Sequence, residues 1–317
     1  MSTIAAHPLI ARFSTRTIGV ALAFVTACVS GVAVYVNSKG VSHFDDATVY
    51  TTAKNAVAGA LLFALAIPLL TATRASGGRV ARPKTRRDWL ALVAVACIGG
   101  SVPFVLFFEG LSRADATQAA FIHKTLVVWV ALLAVPILRE RLGPAHILAI
   151  SLVMLGQGWI AGELGTVVFG AGEAMILGAT LLWAVEVIVV KKLVTSIEPR
   201  TLAVGRMGLG TVVLVSWLAV SGRGGDLFAL GASQWGWALL TGLLLSAYVA
   251  TWYMALARAQ AVDVTAVLVF GAVVTAMLAG AADGVPVDTV GLVLITAGVA
   301  LVAAAAVWRA SPREAAA

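Results

Sequence analysis

Few residues in this chain can do chemistry, and they sit where charge is least welcome. Lys54, Glu109, His123, Lys124, Glu186 and Arg206 all fall inside long apolar runs. An ionised side chain in hydrocarbon costs about 3 kcal/mol or more unless it faces a partner or water. Such residues therefore belong to the interior of a bundle. The chemistry open to them is recognition and proton exchange. Lys124 is a candidate for holding a carboxylate or phosphate. It could instead pair with Glu109 or shed its proton on burial. His123, 100° around the helix from Lys124, is either a proton relay or a hydrogen-bonded structural histidine. Glu186 and Arg206, at matching depth, form either a structural ion pair or a proton-titrated carboxylate or inner gate. Glu109, near an outer end, is solvated there or pairs with Lys54. Three cations (Lys54, Lys124, Arg206) thus face two carboxylates (Glu109, Glu186), which leaves one positive charge unmatched when His123 is neutral.

Aromatic residues supply candidate cavity walls: Tyr35, Trp183 and Trp252 first, with Phe107, Phe108, Trp129 and Tyr248. Packing or lipid contact is the default for most. Trp183 stands three residues before Glu186 and shares its helical face. The sequence offers no catalytic set. No nucleophile adjoins a base, no His/Asp/Glu/Cys spacing suits a metal, and no glycine-rich loop ends in Gly-Lys-Ser/Thr. Cys28 and Cys97 lie in apolar runs. No cofactor, metal or ATP drive is expected.

The elements that must position these side chains follow from composition. The chain has 317 residues, 61% hydrophobic and 12% charged, with net charge +7. A soluble domain is nearer half apolar and a quarter charged. This is an all-α integral membrane protein. A span needs ~20 mostly apolar residues, and ten stretches qualify, roughly 18–37, 48–71, 89–111, 116–138, 145–162, 171–192, 201–221, 233–256, 262–282 and 287–308. With the N-terminus in the cytoplasm, sixteen Lys and Arg fall in inner segments and three (Lys39, Arg113, Arg223) in outer ones. That asymmetry places both termini inside. Residues 1–17 and 309–317 read as cytoplasmic tails, with no cleavable secretion signal. The same asymmetry explains the positive charge without nucleic acid. Pro103 and Pro136 mark kinks, and Gly99, Gly100, Gly156, Gly158, Gly291 and Gly298 suit close helix approach.

The chain also repeats itself. Residues 111–116 (Leu-Ser-Arg-Ala-Asp-Ala) resemble 256–261 (Leu-Ala-Arg-Ala-Gln-Ala). Pro144 and Gly156 match Pro286 and Gly298, and Lys54 matches Arg206. Each copy, 18–162 and 171–308, holds five helices. An odd number inverts the second copy in the membrane, an architecture of transporters with a mid-bilayer site between repeats.

Ten helices in two halves, a fourth helix closing on Leu138-Arg139-Glu140-Arg141-Leu142, and a basic residue one turn into helices two and seven resemble the drug/metabolite transporter superfamily, EamA-like branch. The resemblance covers about residues 17–308. It differs at Val127 and Ala272, where the family often has proline, at Ala282-Asp283-Gly284, which replaces the Glu-Arg-Leu ending, and in having His123-Lys124. It implies a multi-pass transporter in the cell membrane, moving a small metabolite such as an organic anion or amino acid by alternating access. Membrane lipid, protons and a second copy in a homodimer are the other partners to consider. A membrane-embedded enzyme acting on lipid, or a channel, is the alternative.

Overall fold

A computed structural model describes residues 14–75, 83–114, 116–160 and 169–308. The expected tails, apart from residues 14–17, and most of the basic stretch between Arg74 and Lys84 lie outside the described residues. The helices are α1 (Thr15–Gly40), α2 (Ala47–Ala75), α3 (Arg86–Gly100), α4 (Val102–Leu111), α5 (Ala116–Lys124), α6 (Leu126–Leu138) and α7 (Pro144–Ile160). They continue as α8 (Ala171–Leu193), α9 (Pro199–Val220), the short α10 (Gly224–Phe228), α11 (Ala232–Leu256), α12 (Ala261–Leu268), α13 (Gly271–Asp283) and α14 (Thr289–Trp308). Among the described residues, nine spans are long and apolar enough to cross a membrane, and α7 is a shorter apolar helix. Helices suit this medium because every backbone group bonds within its own segment.

Local chemistry sets the helix starts. Asp46 Oδ1 accepts from the amides of Thr48 and Val49 at the start of α2. Thr85 and Asp88 cap α3 reciprocally, and Asp288 caps α14. These are ordinary N-terminal caps. Within the spans, hydroxyls such as Thr26, Thr180 and Thr265 donate to the carbonyl four residues earlier, which satisfies them without water.

Three expected spans are broken. The third bends at Ser101, between α3 and α4, where φ is −141° and ψ −73°. The fourth breaks at Thr125 and the ninth at Val269–Phe270. Pro136, expected to kink, lies inside an unbroken α6. The glycines behave as expected in α7 and α14: a side chain on Gly156 would strike Gly291, and one on Gly298 would strike Ala149. The two helices therefore run antiparallel.

That pairing orients the bundle. His146, early in α7, meets Asp263, early in α12, and Arg16, early in α1, meets Asp263 too. The C-terminal end of α14 lies beside the start of α7, hence at this same end. Lys191, late in α8, bonds the carbonyls of Leu256 and Ala259 here as well. So α1 starts where α8 finishes. The bundle is tight at this end: α6 packs on α12, and every residue of α12 is buried. At the other end α5 packs on α8 and α13 on α1, and in α13 only Gly271 and Val273 are buried.

Candidate functional site

Pro103 creates the site's first unusual group. In a continuous helix the Gly99 carbonyl would accept from the amide four residues on. That residue is proline, which has none. The freed Gly99 oxygen accepts instead from Arg206 Nη2 at 2.8 Å and from Trp183 Nε1 at 3.1 Å. Phe104 N turns to Ser101 O, so Gly100 O is freed too and takes Asn55 Nδ2 at 3.4 Å. A Cβ on Gly99 would collide with the Glu186 side chain, and one on Gly100 with the Arg206 backbone. The glycine pair thus lets α8 and α9 close onto the break.

Glu186 Oε1 lies 3.0 Å from Arg206 Nε and accepts from the Tyr253 hydroxyl at 2.5 Å. The Nε–H is not aimed at that oxygen and has no aligned acceptor among the described residues, so the pair is Coulombic while the directed bond goes to Gly99. Both side chains are 5% exposed or less.

Lys54 is buried without a carboxylate among the described residues. Its Nζ donates to Asn37 Oδ1 at 2.9 Å, which also accepts from Tyr50. Three rings surround it, with Nζ 4.5 Å from the Phe108 centroid, 4.9 Å from Tyr50 and 5.7 Å from Phe104. Cation–π contacts of this kind are worth ~0.5–2 kcal/mol each. Arg206 approaches the same Phe104 ring, at 5.8 Å. The expected outer and inner groups of charges are therefore joined through one ring.

His123 and Trp183 complete an aromatic box. Their rings are 5.0 Å apart, and Phe107 lies 5.2 Å from His123 and 5.7 Å from Trp183. Among the described residues, His123 Nδ1, Asn55 Oδ1 and Thr51 Oγ1 are buried without a hydrogen-bond partner. Lys124 ends α5 at the break, partly accessible, and forms no ion pair or hydrogen bond among the described residues.

Several expectations need correction. Glu109 pairs with neither Lys54 nor Lys124; it takes Arg113 at 3.2 Å and Thr48 at 3.3 Å. Two cations rather than one are then left without a carboxylate. Tyr35 is no wall of the site: it bonds Asp283 at the looser end, beside the Lys39–Asp283 pair. Trp252 is 3% exposed in the apolar core, stacked on Tyr248. Sequence reasoning missed Asn37, Tyr50, Asn55, Phe104 and Tyr253. The Gly-Gly-Ser-Val-Pro run at 99–103 carried a signal for the freed carbonyl. The others are tied together only by the fold.

An all-helical, multi-pass membrane protein with polar groups gathered between packed helices is the class these features define. The EamA-like transporter family matches residues 17–161 and again residues 170–304, and the chain belongs to that family. It is similar to an uncharacterized transporter of Archaeoglobus fulgidus, 27% identical over 68% of this chain and 75% of the relative. An uncharacterized transporter of Synechocystis is 28% identical over 52% of this chain, and the match spans about half (50%) of that relative's length. A crystal structure of a protein superposes with TM-score 0.69 at 17% identity, covering 90% of this chain and 97% of the other; that likeness concerns the fold alone.

Proposed function

We propose that this protein is a secondary transporter that moves a small organic anion across the cytoplasmic membrane by alternating access. The observation that carries the reading is a pair of interior lysines, Lys54 and Lys124, with no carboxylate partner among the described residues. A desolvated ammonium without a counter-ion favours an incoming carboxylate or phosphate. Unpartnered Asn55 Oδ1, Thr51 Oγ1 and His123 Nδ1 add places for a ligand's polar groups, and the aromatic box suits its apolar body. The carboxylate of an amino acid would serve as well as that of a simple organic acid.

Counting α7 as a span gives ten. Two matched segments of five spans, with α1 and α8 running in opposite directions, support inverted halves. The basic loops support a cytoplasmic tight end, and in that reading this conformer opens outward. In this reading Glu186, Arg206 and Trp183 form the inner side of the candidate site, and His123 and Lys124 stand beside it at the α5–α6 break.

The test is uptake by proteoliposomes of radiolabelled mono- and dicarboxylates. Lys54→Ala and Lys124→Ala are each expected to lower uptake at least tenfold while the gel-filtration profile is kept; a tenfold loss is about 1.4 kcal/mol. Undiminished uptake by both variants would falsify the anion assignment.

A further inference from the structure

The two halves treat their embedded basic residue differently. Lys54 stands on α2 and Arg206 on α9, the second spans of the two matched segments. Each turns back to the span before it. Arg206 Nε lies 3.0 Å from Glu186 Oε1 on α8, an oxygen that also accepts from the Tyr253 hydroxyl at 2.5 Å. Lys54 Nζ donates to Asn37 Oδ1 on α1 at 2.9 Å, and that oxygen also accepts from the Tyr50 hydroxyl at 2.5 Å. One oxygen, one basic side chain and one tyrosine hydroxyl therefore recur in both halves. The difference is the group that carries the oxygen. It is a carboxylate on α8 and a neutral amide on α1.

The amide's orientation is set by its other end. Asn37 Nδ2 donates to the Ala33 carbonyl at 2.6 Å. Oδ1 is then the atom that faces Lys54 and Tyr50, and two donors fill its two lone pairs. Three carboxylates of the looser end are engaged elsewhere: Glu109 meets Arg113, Asp46 meets Arg223, and Asp283 meets Lys39. Lys54 Nζ otherwise stands against the Phe108, Tyr50 and Phe104 rings. Rings and an amide oxygen hold a cation in place without cancelling its charge. A carboxylate at the Asn37 position would cancel it, as Glu186 does for Arg206. The amide fixes the ammonium and leaves its charge for a ligand.

We propose that Asn37 is a positioning residue that sets the charge selectivity of the site: its neutral oxygen orients Lys54 and keeps the ammonium open to a substrate carboxylate or phosphate. This role rests on the anion reading of the site. Asn37→Asp tests it, because it adds charge at nearly constant shape. Thermal unfolding of the full-length protein in detergent is followed with acetate, succinate or inorganic phosphate as the probe, against chloride at matched ionic strength. At least one probe should stabilise the unaltered protein. Without a probe, Asn37→Asp should melt at least as high as the unaltered protein, since it gives a desolvated ammonium its counter-charge. Its affinity for the stabilising probe should fall at least about tenfold. In a Lys54→Ala background the same substitution should lower the melting temperature, because the new carboxylate then has no cation to meet. A purely structural amide predicts the reverse: lower stability in Asn37→Asp and an undiminished response to the probe. Either of those results, or failure of Asn37→Asp to fold, overturns the role of Asn37. If Lys54→Ala has meanwhile lost the response, the anion site stands. A response that survives in both Asn37→Asp and Lys54→Ala, or no response of the unaltered protein to any probe, overturns the anion site and this role with it.

Discussion

Glu186 holds its place through Tyr253 and Arg206, and each contact makes a different stability prediction. Glu186→Gln leaves a buried guanidinium without its counter-charge, so it should cost about 3–5 kcal/mol. Tyr253→Phe removes one hydrogen bond to a charged group and should cost about 1.5–3 kcal/mol. Thermal unfolding in detergent should rank them in that order; the reverse order would show that the ion pair contributes little. Arg139 gives the opposite sign. It adopts φ +56° as the C-cap of α6, a left-handed conformation that costs a side-chain residue roughly 1–2 kcal/mol. Arg139→Gly should therefore raise the melting temperature. Burial pushes the Glu140 carboxyl above its ordinary value of 4.5, against the pull of the Ala261 and Val262 amides and Lys191. The folded state then binds its proton more tightly than the unfolded chain does. Its contribution to stability is full below about pH 4.5 and falls as pH rises through the folded value. Glu140→Gln should flatten that part of the pH–stability curve. At this scale the sequence showed which charges were buried, because a charge in an apolar run has few explanations. It did not show their partners: Tyr253 is 67 residues from Glu186 and Asn37 is 17 from Lys54.

Among the elements, the broken spans matter most. Pro103→Ala restores an N–H that competes with Arg206 and Trp183 for the Gly99 carbonyl. The third span should straighten, and uptake should fall sharply with little loss of stability; unchanged uptake would mean the freed carbonyl has no part in function. This break was legible, since a proline four residues after Gly99 removes one donor. Those at Thr125 and Val269–Phe270 were not, because neither carries a residue that forces a helix to stop. Yet they fall 145 residues apart, as do the left-handed caps at Arg139 and Gly284. Both caps turn back in the same way, Glu140 N to Ala134 O and Val285 N to Ala279 O. The repeat is thus written in geometry even where Arg139-Glu140-Arg141 and Gly284-Val285-Pro286 share no residue type. The copies differ one residue beyond each cap: Glu140 caps α12, whereas Val285 has no side-chain acceptor to offer α5. That difference fits a bundle tight at one end and loose at the other.

For the whole molecule, hydropathy and the order of weak repeats were enough to reveal a two-part helical membrane bundle. Those signals accumulate over many residues. The site was half legible. Lys54, His123, Lys124, Trp183, Glu186 and Arg206 all lie in or beside it, but Tyr35 and Trp252 do not, because an aromatic in a membrane helix is equally at home in core, rim or cavity. The central claim is that the pocket is built for an anion. Thermal shift of the purified protein against matched panels of organic anions, organic cations and amino acids tests it most directly. The account predicts that anions raise the melting temperature and that the Lys54→Ala, Lys124→Ala double variant loses the effect. Stabilisation by cations, or by anions equally in the double variant, would contradict it.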